Sequence, residues 1–157
     1  MNARWTVSAT PQDDPEAVAL VRRYLAEVIG RFYQRPATEE EIDRELVDDP
    51  ADDAAVFLVA RHDGVPAGCA AVRLLGRATA ELKRVYVAAE HRRTGGAALL
   101  LAEAERAAAG LGATALRLDT RRDLVEARAL YARHGYAEIE RYHDGPYADH
   151  FYEKALR

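Results

Sequence analysis

The apolar residues Val18, Val21, Leu25 and Val28 recur at helical spacing, which predicts an early helix with one buried face. Asp14-Pro15-Glu16 supplies its start: a capping side chain, proline at the first helical position and an acid in the first turn. Gly30 is the expected stop. A short β-tolerant stretch, Arg4 to Ala9, precedes this helix as a first strand. Thr38 and Glu41 form a capping-box pattern that opens a second, acidic helix running to about Val47. The polar, proline-containing stretch from Asp48 to Asp53 then connects.

The period changes in the middle of the chain. Ala55 to Ala60 is a compact apolar run, read as a buried strand. The Asp63-Gly64 turn folds it back into strands at Ala67–Leu75 and Thr79–Val87. From Gly95 to Ala109 the positions Ala97, Leu100, Leu101, Ala104 and Ala108 return to helical spacing, closed by Gly110 and Gly112. Ala115 to Asp119 reads as a strand. Asp123 and Glu126 are a capping pair for a helix ending at His134-Gly135. Tyr136–Tyr142 and His150–Leu156 pattern as an antiparallel pair around Asp144-Gly145-Pro146. The order β-α-α-β-β-β-α-β-α-β-β predicts an α/β fold of the α+β type with a mixed sheet.

Composition narrows the setting. A length of 157 residues, half of them apolar, suits one domain spanning 1–157 with its own core. Cys69 is the single cysteine, which excludes an internal disulfide or a cysteine-based zinc site and fits a reducing compartment. The formal net charge of −4 gives no general nucleic-acid footprint, and no apolar run approaches a membrane span. Met1-Asn2-Ala3-Arg4-Trp5 lacks the apolar region of a signal peptide, so a cytoplasmic protein is expected. None of the five histidines falls in an H-x-x-x-H or H-E-x-x-H pair, so no metal is expected.

The chemistry concentrates where the strand ending at Val87 passes through an arginine- and glycine-containing loop into a helix. The first amides of a helix have no partner within it, and the helix dipole makes that end attractive to anions. Gly95 and Gly96 remove side chains that would hold a diphosphate away from the backbone, and Ala97 keeps the next position small. Arg92 and Arg93 can add charge-assisted hydrogen bonds. Neither the P-loop spacing nor the dinucleotide fingerprint is present.

What stands here is Arg92-x-x-Gly95-x-Ala97, which resembles the [Q/R]-x-x-G-x-[G/A] signature of the GNAT superfamily of N-acetyltransferases. A second segment, with Ala127, Tyr131, Arg133, Gly135 and Tyr136, is similar to that family's A-x-x-x-Y-x-[K/R]-x-G-[F/Y] pattern. Together the two resemblances cover the chain from about Val56 onward. They imply a mixed, mostly antiparallel sheet of about six to seven strands flanked by about four helices, and acetyl-CoA as acyl donor. They also imply a cofactor site made of Val85, Tyr86, Val87, Arg92, Arg93, Thr94, Gly95, Gly96, Ala97 and Ala98. In that site the Val87 amide would polarise the thioester carbonyl as an oxyanion donor. One departure is Thr120-Arg121-Arg122-Asp123, where the family often carries an asparagine that contacts the cofactor. Asp123 has no amide to offer, and Arg121 and Arg122 are alternative partners for a phosphate or plain surface residues.

The resemblance also implies catalytic roles. Tyr131 would sit at the sulfur and donate a hydrogen bond or proton to the departing thiolate; it equally fits a core aromatic on the helix face of Leu124 and Ala127. Glu81 is the candidate base for an amine acceptor, sharing a sheet face with Lys83, Val85 and Val87 until a bulge intervenes; an ion pair with Lys83 or Arg84 is the other reading. Tyr33, Tyr142 and His143, with neighbouring Arg31, Phe32, Arg35, Asp144 and Asp149, flank the expected acceptor opening. The acidic second helix either attracts a cation or is a solvated face. The function implied is acetyl transfer to a primary amine of a small molecule or peptide by a monomer or homodimer. A non-catalytic acyl-CoA sensor or a nucleotide-binding protein are the alternatives.

Overall fold

The computed structural model describes residues 4–157; Met1 to Ala3, part of the stretch weighed as a leader, lie outside them. Strands β1 (Trp5–Ala9), β2 (Val56–His62), β3 (Val65–Leu74), β4 (Thr79–Val87), β5 (Ala115–Thr120), β6 (Ala137–Ile139) and β7 (His150–Ala155) form one sheet. Its order is β1-β2-β3-β4-β5-β7-β6, and every neighbouring pair is antiparallel except β4 with β5. Helices α1 (Pro15–Tyr33) and α2 (Glu39–Asp48) cover one face. Helices α3 (Gly96–Gly110) and α4 (Val125–Arg133) cover the other. Among the described residues no helix is long and apolar enough to cross a membrane.

Both faces are packed, which is why Val56–Ala60 of β2 and Ala67–Val72 of β3 carry no charged or alternating polar residues. Leu58, Ala60, Ala70 and Val72 turn toward α3, whereas Phe57, Val59, Cys69 and Ala71 turn toward α1. The Asp63-Gly64 turn takes positive φ at both residues, the backbone that a tight hairpin needs. The capping box on α2 forms as expected, with Thr38 and Glu41 bonding reciprocally.

Three local expectations are corrected by tertiary contacts. Helix α1 runs through Gly30 to Tyr33 and ends at Gln34. A helical glycine costs only about 1 kcal/mol, and Arg31 beyond it is tied to Glu126 and the Asp123 carbonyl. Val18 is 43% exposed; the buried stripe is Ala17, Leu20, Val21 and Leu25. Asp123 does not cap α4, whose cap residue is Leu124 with no side-chain bond. Both Asp123 oxygens are taken by Arg121, which holds its carboxyl below the usual range.

The feature that positions the site is a fork. Parallel pairing of β4 with β5 is confined to Thr79–Glu81 against Ala115–Arg117, and beyond it the two strands part. A bulge on β4 accompanies the fork: the register against β3 shifts between Cys69 and Ala71, and Arg84 takes a φ of 57°. The bulge breaks the alternation expected of the strand. Glu81 and Lys83 face α1 and α2, while Val85 and Val87 are turned to the α3 side and Tyr86 to the α1 side.

Candidate active site

The loop from β4 to α3 passes through a short 3-10 turn, Ala89–His91, before the helix starts. Gly95 sits at the cap with a φ of 98°, a backbone that L side chains rarely adopt, and a Cβ there would meet open space. The helix ladder begins only with Leu99, whose amide bonds the Gly95 carbonyl. Among the described residues nothing accepts from the amides of Arg93, Thr94, Gly95, Gly96, Ala97 and Ala98. A run of unpartnered amides at the positive end of a four-turn helix is a receptor for an oxyanion with several acceptor oxygens.

The two arginines of the loop divide their work. Arg92 is committed: its Nε donates to the Val87 carbonyl at 2.8 Å, and its Nη2 pairs with Glu27. It braces the loop against β4 and α1 rather than pointing at a ligand. Arg93 is exposed and makes no hydrogen bond or ion pair with any described residue, so it is the cation free to meet an anion. Thr94 is also structural. Its hydroxyl donates to the His91 carbonyl, and both its Oγ1 and its carbonyl accept from Trp5 Nε1 at 3.1 Å.

Trp5 also explains Gly96. A Cβ at Gly96 would lie 2.5 Å from the indole, so packing against β1 is enough to require this glycine. Gly96→Ala should therefore push the indole out, break its bonds to Thr94 and cost about 1–3 kcal/mol. Trp5 is the one tryptophan, so a red-shifted emission maximum together with a lowered melting temperature checks this. A native spectrum at native stability would contradict it.

Beyond the loop, the fork presents backbone. The Ala88 amide bonds the Ala67 carbonyl, so ladder alternation turns the Val87 N–H and C=O to the opposite edge, away from β3. There the carbonyl takes Arg92 and the N–H has no partner among the described residues. Val85 lies half-buried on the same sheet face. The Tyr86 side chain points to the other face, edge-on to Tyr24, so only its backbone is offered to the gap.

Tyr131 projects from α4 into this region. It is packed among Tyr136 and Tyr152, yet its hydroxyl makes no hydrogen bond to any described residue. Among those residues no fully buried side-chain nitrogen or oxygen lacks a partner, so the Tyr131 hydroxyl must reach an opening. Burial pushes its pKa up, and the nearby Tyr24 and Asp119 push it the same way. Tyr24, arriving from α1, is pushed up to about 12 by its own burial. The two phenols reach toward the fork from opposite sides of the sheet, with Asp119 within the field of both.

At the base of the fork lies a polar cluster. Glu81, 1% exposed, accepts from Arg73 Nε at 2.7 Å on one oxygen and from the Tyr142 hydroxyl at 2.6 Å on the other. Asp119 accepts from His143 Nε2 at 2.8 Å, while the Gly145 amide donates to His143 Nδ1. That amide assigns the tautomer: Nδ1 carries the lone pair and Nε2 the proton. Ligand-type atoms of Glu81, Asp119 and His143 lie within 4.8 Å of one another. Arg73 and Tyr142 occupy the two Glu81 oxygens, the Gly145 amide meets His143 Nδ1, and His143 Nε2 meets Asp119 Oδ2, which leaves one Asp119 oxygen unbonded among the described residues.

Of the acceptor-side candidates, Tyr142 and His143 join Glu81 in this cluster. Tyr33 does not: it is 49% exposed, stacked edge-on with Phe32 and lying under Arg35. Glu81 does not pair with Lys83, which turns to Asp49, nor with Arg84, which bonds the Asp49 carbonyl at the end of α2. Part of the charge of the acidic helix α2 is paired: Glu39 and Asp43 hold Arg22 of α1, and Glu41 holds Arg35 of the connecting loop. Arg121 is tied to Asp123 through Nε and Nη2 and to the Val28 carbonyl through Nη1. Burial pushes the Cys69 thiol up to about 12, so it is a protonated core residue and no nucleophile.

Two participants escaped the reading of the sequence, Asp119 and Arg73. Asp119 had a signal: it alternates with the buried Leu116 and Leu118, marking a charge on the inner polar face of a central strand.

Comparison with known proteins bears on the family and the fold. Residues 21–136 match the model of the Acetyltransferase (GNAT) family. An uncharacterised N-acetyltransferase of Schizosaccharomyces pombe is 32% identical over 141 residues, covering 87% of this chain and 83% of the relative. A Klebsiella pneumoniae protein assigned to the acyl-CoA N-acyltransferases superposes with a TM-score of 0.73 at 29% identity, over 99% of this chain and 100% of its own. An Elizabethkingia anophelis GNAT acetyltransferase solved with acetyl-CoA bound superposes with a TM-score of 0.70 at 16% identity, over 99% and 100% of the two chains.

Proposed function

The chain belongs to the GNAT acetyltransferase family, and on that premise we propose that it transfers an acetyl group from acetyl-CoA to a primary amine of a small molecule or peptide by direct attack. The observation that carries the reading is the unpartnered amide run from Arg93 to Ala98, opening beside the β4–β5 fork. It fits a diphosphate, and the acetyl-CoA-bound relative supports the identity of the donor.

Bound acetyl-CoA supplies an activated acyl carbon and a thiolate leaving group. The amides of residues 93–98 and the Arg93 guanidinium hold its diphosphate. The Val87 N–H, fixed by its strand and free of a partner, donates to the thioester oxygen as negative charge develops there. Tyr131 donates a hydrogen bond to the departing sulfur. Because burial raises the phenol further above the thiol range, stabilising a thiolate suits it better than surrendering a proton. Glu81 is the acceptor for the amine's proton. A non-catalytic sensor would have no use for an unbonded phenol aimed at the opening, so that alternative is not favoured.

Acetyl-CoA at 100 times its dissociation constant should stabilise the protein by about 2.7 kcal/mol, a rise of roughly 5–10 °C in melting temperature. ATP and NAD should give no comparable rise. Thiol release on adding members of an amine panel then tests transfer. A flat melting response to acetyl-CoA would sink the proposal.

A further inference from the structure

Tyr142 and Glu81 are joined by a short bond whose direction matters. The Tyr142 hydroxyl has one proton and gives it to Glu81 Oε2 at 2.6 Å, so the phenolic oxygen keeps its lone pairs for accepting. Glu81 itself is sealed, with its second oxygen on Arg73. An amine in the fork can reach this carboxylate only through Tyr142. Asp119 stands beside it, its Oδ2 already receiving the His143 Nε2 proton and its other oxygen unbonded among the described residues.

We propose that Tyr142 relays a proton from the acceptor ammonium to Glu81, while Asp119 accepts a second N–H of the same ammonium. The inference rests on the acetyl-transfer reading above. One ammonium proton passes to Tyr142 Oη as the hydroxyl proton passes to Glu81 Oε2, so Tyr142 stays a phenol and Glu81 becomes a neutral acid. The freed electron pair on nitrogen forms the N–C bond, and the C–S pair leaves on sulfur. A proton remaining on nitrogen neutralises that thiolate. Glu81 returns its proton to water by the same path, so the turnover releases one proton.

The surroundings suit a relay better than an independent phenolate. Burial, the Glu81 hydrogen bond and the Glu81 charge push the Tyr142 pKa up, Asp119 adds to this and Arg117 opposes it. Arg117 lies over the Tyr142 ring at 5.1 Å, the neutral His143 packs edge-on at 5.0 Å, and Arg73 faces Glu81 from β3. Tyr142 therefore cannot hold a negative charge of its own and must pass the proton on.

The test is Tyr142→Phe, assayed with the best alkylamine of the panel and with hydroxylamine, which is already neutral at assay pH. For the alkylamine kcat/KM should fall by about 10²–10⁴-fold, the usual range for general base catalysis. The loss with hydroxylamine should be at least tenfold smaller. The variant's log kcat/KM should rise with unit slope toward the amine's own pKa near 10.4. Equal losses with both acceptors, or an unchanged pH profile, overturn the relay. If the variant fails to fold, rates of the wild-type protein in mixtures of light and heavy water replace it. A curved dependence, two protons in flight, supports the relay, and a linear one refutes it. Wild-type protein that consumes no acetyl-CoA with any amine overturns the acetyl-transfer reading as well; an active wild type with an unaffected Tyr142→Phe overturns the relay alone.

Discussion

Glu81→Leu should lower the stability of the folded protein by about 2–4 kcal/mol, a drop of roughly 5–15 °C in melting temperature. The carboxylate is 1% exposed and satisfies two donors, Arg73 Nε and the Tyr142 hydroxyl. Leucine replaces the volume and leaves both donors without their acceptor. Removing one member of a sealed ion pair costs about 3–5 kcal/mol. The expectation here is somewhat lower, because Arg73 keeps Asp53 and its side chain is 30% exposed. Glu81→Gln, which retains an acceptor oxygen, should lose less. Thermal melts of the three proteins measure the order directly. A leucine variant as stable as the wild type would mean that the cluster is not closed as described.

Tyr131→Phe should behave in the opposite way, sparing stability and lowering turnover. Its hydroxyl bonds to no described residue, so melting should change by less than about 1 kcal/mol. A hydrogen bond to a charged group is worth about 1.5–3 kcal/mol, so kcat should fall by roughly 10- to 150-fold with little change in acetyl-CoA affinity. The pH dependence has a definite sign. Burial raises the pKa of this phenol in the folded state, so the donor stays protonated past the ordinary value of about 10. The group leaves stability unchanged below that value and lowers it as pH climbs from there toward the higher folded one, because unfolding lets the phenol ionise. Any fall in activity between about pH 8 and 10 must then come from another group. Parallel measurements of kcat, acetyl-CoA affinity and melting separate these outcomes. Unchanged kcat would make Tyr131 a core aromatic and nothing more.

Much of the fold was legible because its determinants are local. The Asp14-Pro15 start, the Thr38–Glu41 box and the Asp63-Gly64 turn each act through hydrogen bonds or dihedral preferences within a few residues. The apolar period of α3 likewise placed Leu100, Leu101, Ala104 and Ala108 in the core. Where competition came from afar, local reading failed. Asp123 is a good cap in isolation, but Arg121 takes both of its oxygens. Gly30 is a weak stop, and Arg31 anchored on α4 carries the helix past it.

The candidate site divides along the same line. By itself the sequence determined the unpaired helix start behind Gly95, since the orphan amides and the positive φ need no distant partner. Only the tertiary structure decided what surrounds it. Trp5, from the far edge of the sheet, imposes the glycine at position 96, and Arg92 is turned from ligand to brace by Glu27 and Val87. The β4 bulge sends Glu81 and Val87 to opposite faces, and the fork brings Asp119, Tyr142 and His143 around Glu81. These are meetings between residues tens of positions apart, set by strand register and by the point at which two strands separate. No side-chain period records either quantity.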